Sequence, residues 1–469
     1  TLFVILTSLV GFGSSIFAQP TPPALPAVNP FGVVEGFWFP ALTCDLGVGW
    51  ERIIFDWAQH QPTSADDWNT LNVDDRWLKA ANACNREVVA IIKTTPAWAT
   101  DGTPGIGVPR GLTLPIDDPG NVWAAFMRKT AAYYASRGVQ RFIIWNEPDI
   151  APGTYGYSFE GDLEAYFQML KVAYLAAKQG NPAAVIHLAG TTYWHDANSG
   201  QRLYMDRLLE RIAADPDAAQ HGHYFEVFSL HIYFRTETVP QLVGIMRDLL
   251  TKHGMGDKAI WINETNASPN LDPNWLVTRP QYQVTLEQQA SFIVQTAALA
   301  LASGVERVAV YKLYDQGLPA GGESFGILTP GGDDRQPRPA FASWQMVTQQ
   351  LAGVTAATWA ASPTIDVVRL THSDGRQTTL AWAKTAQSAQ IEISATGAKA
   401  AQLDQYGGQT LLRPQNGTYT LNLPAARCDT QDGCAVGGAV TLLVQPAGDS
   451  QVRDLATGAA LDLSATAAE

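Results

Sequence analysis

Phe142-Ile-Ile-Trp-Asn-Glu-Pro148 and Ala259-Ile-Trp-Ile-Asn-Glu-Thr265 are two apolar runs that end in the same Asn-Glu pair. A short run of Ile, Phe and Trp without polar alternation is typical of a strand that is buried on both faces. A glutamate at the end of such a strand lies where the core meets solvent. Two strands with this ending predict a pair of carboxylates, Glu147 and Glu264, at one edge of a sheet.

Between residues 31 and 351, apolar runs of this kind alternate with longer amphipathic stretches eight times. The alternation predicts parallel βα units, and eight of them in roughly 320 residues fit an α/β fold of the (β/α)8 barrel type. The predicted strands are 33–37, 52–57, 88–93, 142–146, 185–189, 225–232, 259–263 and 307–314.

Residues 352–469 change in character to short alternating runs separated by Gly, Asn and Asp turns. This pattern predicts a small C-terminal β-sandwich that packs against the barrel. A carbohydrate-binding role for the sandwich stays open. The polar, Ala-rich tail from Ser450 is expected to be frayed.

The composition excludes some classes of partner. The 469 residues are 46% hydrophobic and 16% charged, which is a globular composition, and the net charge is −13. Since Lys and Arg form no cluster, a nucleic acid is not expected as a partner. A polyanionic substrate is mildly disfavoured, although Lys93, Arg235 and Lys312 fall near strand ends and could make a cleft locally positive.

Residues 1–18 are uncharged and largely apolar, and the Pro-rich stretch 19–30 follows them. This order is typical of an export signal and a short linker. A membrane anchor is the alternative, but the run is short and broken by Gly and Ser. No later apolar run is as long, so we expect a secreted protein, extracellular or periplasmic, without a membrane span.

Four cysteines form two pairs that are close in sequence: Cys44 with Cys84, and Cys428 with Cys434. An even number behind an export signal favours disulfides. A zinc site is the poorer interpretation, because no His lies close to either pair. For Cys84, which is predicted to lie in an Ala-rich helical segment, a buried free thiol is the alternative.

The two carboxylates suggest a reaction. In a (β/α)8 barrel the loops after the C-terminal ends of the strands form the active site, so Glu147 and Glu264 open onto the same mouth. Carboxyl groups about 5–5.5 Å apart support cleavage of a glycosidic bond by double displacement, whereas a gap of about 6.5–9.5 Å supports inversion. The sequence does not give this distance.

At these positions the chain resembles clan A of the glycoside hydrolases. Asn146-Glu147-Pro148 resembles the acid/base motif of the clan, and Glu264 resembles its nucleophile. Four segments are most similar to family 39 and its relatives, which include β-xylosidases and exopolysaccharide endoglycosidases: Phe55-Asp-Trp57, Thr95-Pro-Ala-Trp98, Trp145-Asn-Glu-Pro-Asp149 and Phe325-Gly-Ile-Leu328. The resemblance implies a retaining enzyme that acts on β-glycosides, with the barrel carrying the match.

The resemblance also implies roles for neighbouring residues. Arg52 and Tyr233 are expected to hold Glu264 ionised, and Asn146 to bind the sugar 2-hydroxyl. His231 pairs with Tyr233 on strand six, and a core histidine is its alternative. For Glu147 the alternative is an ion-paired carboxylate at the rim.

Aromatic residues near strand ends are candidates for stacking on sugars: Trp57, Trp98 and Trp194, together with Trp38. Where much of the clan has a Trp after strand eight, this chain reads Tyr311-Lys-Leu-Tyr314, so Tyr314 or Lys312 is expected to set substrate preference. Trp145 and Trp261 are expected to point outward into the helix layer. Glu35, Asp56 and Asp149 are rival carboxylates that we expect to bind substrate or support the structure.

We therefore expect a secreted retaining glycoside hydrolase that acts on an oligo- or polysaccharide. It needs no cofactor and no metal. The alternatives are a transglycosylase on the same residues and a non-catalytic carbohydrate-binding barrel. The sugar, the choice between internal and terminal bonds, and the oligomeric state stay open.

Overall fold

The computed structural model describes residues 29–278, 283–331, 334–428 and 433–463. The predicted export signal at 1–18 and most of the predicted linker at 19–30 lie outside the described residues. So do the last six residues of the chain.

Eight parallel strands close into a barrel in the order of the sequence, with β1 paired to both β2 and β8. The predicted (β/α)8 barrel is therefore confirmed. The strands are β1 Phe31–Val34, β2 Trp50–Asp56, β3 Glu87–Lys93, β4 Val139–Ile144, β5 Val185–His187, β6 Val227–Tyr233, β7 Ala259–Asn266 and β8 Arg307–Val310.

Some strand ends differ from the prediction. β8 was expected to continue to residue 314 but ends at Val310, and the chain then turns with a cis peptide between Tyr311 and Lys312. β1 ends at Val34, because Glu35 adopts a left-handed backbone with φ 59°. β7 runs past its predicted end, so Glu264 lies inside the strand.

Helices connect the strands and cover the barrel. The longest, Leu163–Gly180, begins after Asp162, whose carboxylate accepts a hydrogen bond from the amide of Ala165 as an N-cap does. The α-helices are α1 Pro40–Asp45, α2 Trp57–His60, α3 Asp75–Ala83, α4 Val122–Ala135, α5 Leu163–Gly180, α6 Trp194–Asn198, α7 Tyr204–Ala213, α8 Thr238–Lys252, α9 Leu286–Ala302 and α10 Pro339–Gln350.

A β-bulge in β7 changes which side chains face the barrel interior. Leu230 of β6 pairs with Ile262, but the next residue, His231, pairs with Glu264, so Asn263 is an extra residue. Trp261 packs in the interior with its ring 5.0 Å from that of Trp50. The prediction that Trp261 points outward is wrong, because it assumed unbroken alternation from Glu264.

The C-terminal region forms two antiparallel sheets, as predicted. One has six strands in the order β14-β13-β16-β11-β10-β9, and the other has four in the order β15-β12-β17-β18. Their bounds are β9 Val354–Ala361, β10 Ile365–His372, β11 Arg376–Ala383, β12 Ala389–Ser394, β13 Ala400–Leu403, β14 Gln409–Leu412, β15 Thr418–Leu423, β16 Thr441–Pro446, β17 Val452–Asp454 and β18 Ala460–Leu461. Because β17 and β18 pair, the tail is ordered to Leu461, and the expectation of fraying from Ser450 is wrong there.

Disulfides join Cys44 to Cys84 and Cys428 to Cys434. The first links the end of α1 to the residue after α3. Within the described part of the chain, no helix combines the length and apolar character that a membrane span requires.

Candidate active site

Glu147 lies three residues beyond the end of β4, on a backbone that turns sharply towards the barrel axis. Trp145 and Glu147 both have positive φ, at 72° and 43°. Such angles are rare for residues with a side chain and persist where the surrounding structure holds them. Here the amide of Trp145 donates to the carbonyl of Ile92, and the amide of Glu147 donates to that of Gly190. The carboxylate of Glu147 is thereby placed at the mouth, partly exposed.

Glu264 is buried and both of its carboxylate oxygens are engaged. The guanidinium of Arg52 lies 2.5 Å from Oε1, and the hydroxyl of Tyr233 donates to Oε2 at 2.6 Å. Burial alone would raise the pKa of Glu264, but the charges of Arg52 and His231 and the two hydrogen bonds lower it to about 2. This carboxyl group is therefore ionised across the physiological range.

His231 lies between the two glutamates. Its Nδ1 is 2.7 Å from Oε1 of Glu147 and 3.6 Å from Oε2 of Glu264. Burial favours the neutral ring, yet the negative charge of Glu264 and the hydrogen bond to Glu147 raise the pKa of His231. One oxygen of each glutamate and Nδ1 of His231 all lie within 4.8 Å of one another.

Gly190, which follows β5, makes room for this histidine. A Cβ at Gly190 would lie 2.2 Å from Nε2 of His231, so no other residue fits there without displacing the ring. Nε2 is buried and has no hydrogen-bond partner among the described residues. The sequence contains no pattern that marks Gly190, because its contact is with a residue of β6 that is about 40 positions further along the chain.

Glu147, His231 and Glu264 are also a donor set that could bind a metal ion. The guanidinium of Arg52 already neutralises Glu264 at 2.5 Å and would repel a cation. The surroundings of these three side chains therefore favour the binding of a proton over that of a metal ion. The expectation that no metal is needed stays a prediction.

Two lysines bring positive charge to the other side of the mouth. Lys93 ends β3 opposite Asp56 of β2, and burial together with the charge of Arg52 lowers its pKa. Lys312 lies 3.4 Å from the carboxylate of Glu35. Asn146, the residue before Glu147, places its amide nitrogen 3.4 Å from Oε2 of Glu147.

The aromatic candidates separate into two groups. Trp57 is fully buried and stacks on Phe126 in the helix layer, with ring centroids 5.0 Å apart. Tyr314 is also buried, against Phe39. Trp57 has no free face for a sugar, so the prediction that it stacks on one is wrong. The burial of Tyr314 leaves Lys312 as the better candidate of the two residues expected to set substrate preference, and that expectation stays a prediction. Both rings follow strands but turn back into the core.

The other candidates keep exposed surface. Trp38 is 46% exposed and Trp194 is 41% exposed, while Trp98 is partly buried and donates to the carbonyl of Gln61. Trp145 is buried against Phe159, on the outer side of the barrel as expected.

The rival carboxylates have structural partners. Asp56 accepts a hydrogen bond from the amide of Gln59 and caps α2. Asp149 accepts two hydrogen bonds from Thr192, one from its amide at 2.9 Å and one from its hydroxyl at 2.7 Å. Glu35 is paired with Lys312.

A cavity of about 830 Å³ opens beside Glu147, His231 and Tyr233 and extends between the loops that follow β4, β5 and β6. Of the predicted site residues, it also contains Trp194. Its remaining wall includes residues that the sequence did not single out: Ile150, Tyr155, Thr192, His195, Asn198, Ser199, Phe234, Glu237, Thr238 and Gln241. They lie in the loops after the strands, in α6 and at the start of α8, where no periodic signal identifies them.

Solved structures of several glycoside hydrolases resemble this fold over most of its length. One solved structure that this chain resembles is a family 39 glycoside hydrolase from Bacteroides cellulosilyticus WH2, with a TM-score of 0.65 and 17% identity over 89% of this chain and 81% of that one. Another is a monomeric β-xylosidase from Caulobacter crescentus CB15, with a TM-score of 0.58 and 13% identity over 89% and 96%.

A GH30 endoxylanase from Clostridium papyrosolvens C71 is similar at a TM-score of 0.57 and 14% identity, over 90% of this chain and 97% of its own. At these identities the similarity establishes the fold. No protein-family model matches the sequence, and no curated protein matches it either.

Proposed function

We propose that this protein is a secreted retaining glycoside hydrolase that cleaves β-glycosidic bonds of an oligo- or polysaccharide. The observation that carries the proposal is the separation of Glu147 and Glu264, whose nearest oxygens lie no more than 4.8 Å apart. This short approach favours the retaining geometry, in which the carboxyl groups are about 5–5.5 Å apart, over the gap of about 6.5–9.5 Å that an inverting enzyme keeps for a water molecule. The solved structures with the same fold support the reaction class by analogy.

The environments of the two carboxylates support different roles. An oxygen of Glu264, which is ionised, attacks the anomeric carbon while the bond from that carbon to the leaving group breaks. The oxygen of the leaving group takes a proton from Glu147. Glu147 then accepts a proton from water, whose oxygen attacks the same carbon and releases Glu264. His231 shares a hydrogen bond with Glu147 and stabilises it when it has given up its proton.

Two disulfides support export, because such bonds persist in oxidising compartments. The absence of clustered basic residues continues to disfavour a nucleic acid as partner.

Azide rescue tests the roles. Glu264→Ala should lose turnover by several orders of magnitude, and azide should restore it with a glycosyl azide of inverted configuration, because azide then attacks from the side of the missing nucleophile. The matched variant Glu147→Ala should instead give a glycosyl azide of retained configuration. Wild-type rates for Glu264→Ala, or the same azide anomer from both variants, would contradict the assignment.

A further inference from the structure

The cavity beside Glu147 lies on one side of the reacting bond. Its walls come from the loops after β4, β5 and β6, and they include Glu147 but neither Glu264 nor Lys93. A group that leaves with the proton of Glu147 departs into this space. The volume of about 830 Å³ is in the upper part of the range of pockets that hold drug-sized ligands. A disaccharide is about as large as such a ligand.

Two exposed aromatic residues stand in the walls of the cavity. Trp194 is 41% exposed and Tyr155 is 93% exposed. An aromatic ring that lines a cavity and stays exposed offers an apolar face on which a sugar ring can stack. Arg235 and Glu237 form an ion pair at 2.5 Å in the same wall, so neither sign of charge dominates, and this suits an uncharged sugar.

The turn that presents Trp194 is strained. The amide of Trp194 donates to the carbonyl of Thr192 at 2.5 Å, and Tyr193 between them has φ 57° and ψ −51°. A γ-turn with a positive φ is rare for a residue with a side chain, and such strain clusters at ligand sites.

The same turn is tied to the loop of the acid. The carboxylate of Asp149, two residues after Glu147, accepts hydrogen bonds from both the amide and the hydroxyl of Thr192. Burial raises the pKa of Asp149, and the bonds from Thr192 oppose that rise. The position of Trp194 is thus fixed relative to Glu147.

We infer that this cavity binds the leaving-group part of the substrate as a saccharide, with Trp194 as the surface on which a sugar ring stacks. This inference rests on the proposed glycoside hydrolase function.

The experiment compares two kinds of substrate. A panel of β-glycosyl fluorides and matching β-linked trisaccharides in the xylo, gluco and galacto configurations is tested with wild type, Trp194→Ala and Trp359→Ala. A glycosyl fluoride places no sugar in the cavity. Trp359 is a matched control, because it is 40% exposed but lies on β9 of the sandwich.

For Trp194→Ala, the ratio of kcat/KM on the trisaccharide to kcat/KM on the fluoride should fall on the order of 10- to 100-fold, the effect of losing one buried aromatic contact. Trp359→Ala should keep the wild-type ratio. An unchanged ratio for Trp194→Ala, whether both rates fall together or neither falls, would overturn the inference while the proposed function stands.

A binding measurement separates the two proposals. Titration of the trisaccharides into Glu264→Ala, with and without Trp194→Ala, should show weaker binding when Trp194 is removed. If wild type hydrolyses no member of the panel but binds trisaccharides through Trp194, the proposed function fails and the ligand class of the cavity stands. If it neither hydrolyses nor binds any of them, both fail.

Discussion

Glu264 and Glu147 differ in what surrounds their oxygens, and this difference determines which of them can act as the acid. Both oxygens of Glu264 accept strong hydrogen bonds, from Arg52 and from Tyr233. In the described part of the chain, the one short side-chain hydrogen bond of Glu147 is with His231, and Glu147 borders the cavity. Glu147 is therefore placed to give a proton to a group in the cavity, whereas Glu264 stays ionised.

Glu147→Gln should slow substrates with poor leaving groups by about 10²- to 10⁴-fold, because they need the proton at the transition state. The first step on activated aryl glycosides should be far less affected. Pre-steady-state release of the aryl group measures that step separately from turnover. Glu160→Gln, an exposed change further along the same loop, serves as the control. Equal losses on both substrate classes would count against the acid role.

Tyr233→Phe tests how the ionised state of Glu264 is maintained. Loss of a hydrogen bond to a charged group should lower kcat about 10- to 100-fold. The pKa of Glu264 should rise from about 2. The nucleophile is active above its pKa and inactive below it, so the acid limb of the kcat/KM profile should move to higher pH.

Tyr311→Phe is the matched control for this profile. The ring of Tyr311 lies 6.2 Å from that of Tyr233, but no hydrogen bond joins its hydroxyl to Glu264 in the described part of the chain. In Tyr311→Phe, the acid limb of the kcat/KM profile should stay at the wild-type pH. An acid limb that does not move in Tyr233→Phe would show that Arg52 alone keeps Glu264 ionised.

For single residues, the sequence predicted which side chains contact Glu264 better than it predicted which aromatic rings are exposed. The resemblance to clan A implied that Arg52 and Tyr233 lie beside Glu264, and both contacts are present. It did not show that Trp57 and Tyr314 turn back into the core, because this depends on packing by distant residues such as Phe126 and Phe39. Their roles at the site were inferred from position alone.

Among the elements, β7 shows most clearly where sequence reasoning stops. Strand alternation puts Trp261 and Glu264 on opposite faces, yet both face inward because Asn263 forms a bulge. A bulge changes the face of the sheet on which a side chain lies, but it does not change the pattern of apolar residues in the sequence. The eight-fold repeat of strands and helices, in contrast, depends only on burial and could be predicted in full.

The inward turn of Trp261 is supported by positively charged groups on β4 and β8. The guanidinium groups of Arg141 and Arg307 lie 4.9 and 4.4 Å from its ring. Both are paired with Glu87 at the start of β3, Arg141 at 2.8 Å and Arg307 at 2.5 Å. Burial opposes the charge on Glu87, but the two arginines lower its pKa.

Glu87→Gln should therefore lower the free energy of unfolding by on the order of 3 kcal/mol, since two largely buried guanidinium groups would lose their counter-charge. Because the folded pKa of Glu87 is lowered, its contribution is complete above the ordinary pKa of a glutamate and is lost as pH falls through the folded value. The loss in Glu87→Gln relative to wild type should thus shrink in acid. Urea unfolding at pH 7 and at pH 4 measures both.

Asp101→Asn is a control for this prediction, because it removes an ion pair with Arg110 that is exposed to solvent. Such pairs contribute little to stability. A loss for Glu87→Gln no larger than that for Asp101→Asn would contradict the importance of the buried group.

In the whole molecule, the hydrophobic core of the helix layer continues into the sandwich, which also has an apolar cluster of its own. α9 is buried along almost its entire length, and Gln295 on this helix donates to the carbonyl of Gly438 and accepts from the amide of Gly437. Several sandwich residues belong to the same apolar cluster as the barrel: Val368, Leu370, Leu380, Trp382, Leu403, Val436, Val440 and Leu442. The predicted division at residue 351 was based on a change in periodicity, which carries no information about how the two regions pack.

The shared core predicts that the two regions unfold together. Trp382 is buried at this contact, and Trp382→Ala should lower stability by about 3–5 kcal/mol. Calorimetry should then show one transition, shifted to lower temperature, with its enthalpy equal to the van't Hoff value. Trp359→Ala, an exposed tryptophan of the same sandwich, should leave the transition near its wild-type temperature. If Trp382→Ala instead produced two transitions and only one moved, the barrel would be stable without the sandwich, and the apolar face of α9 would have to tolerate water.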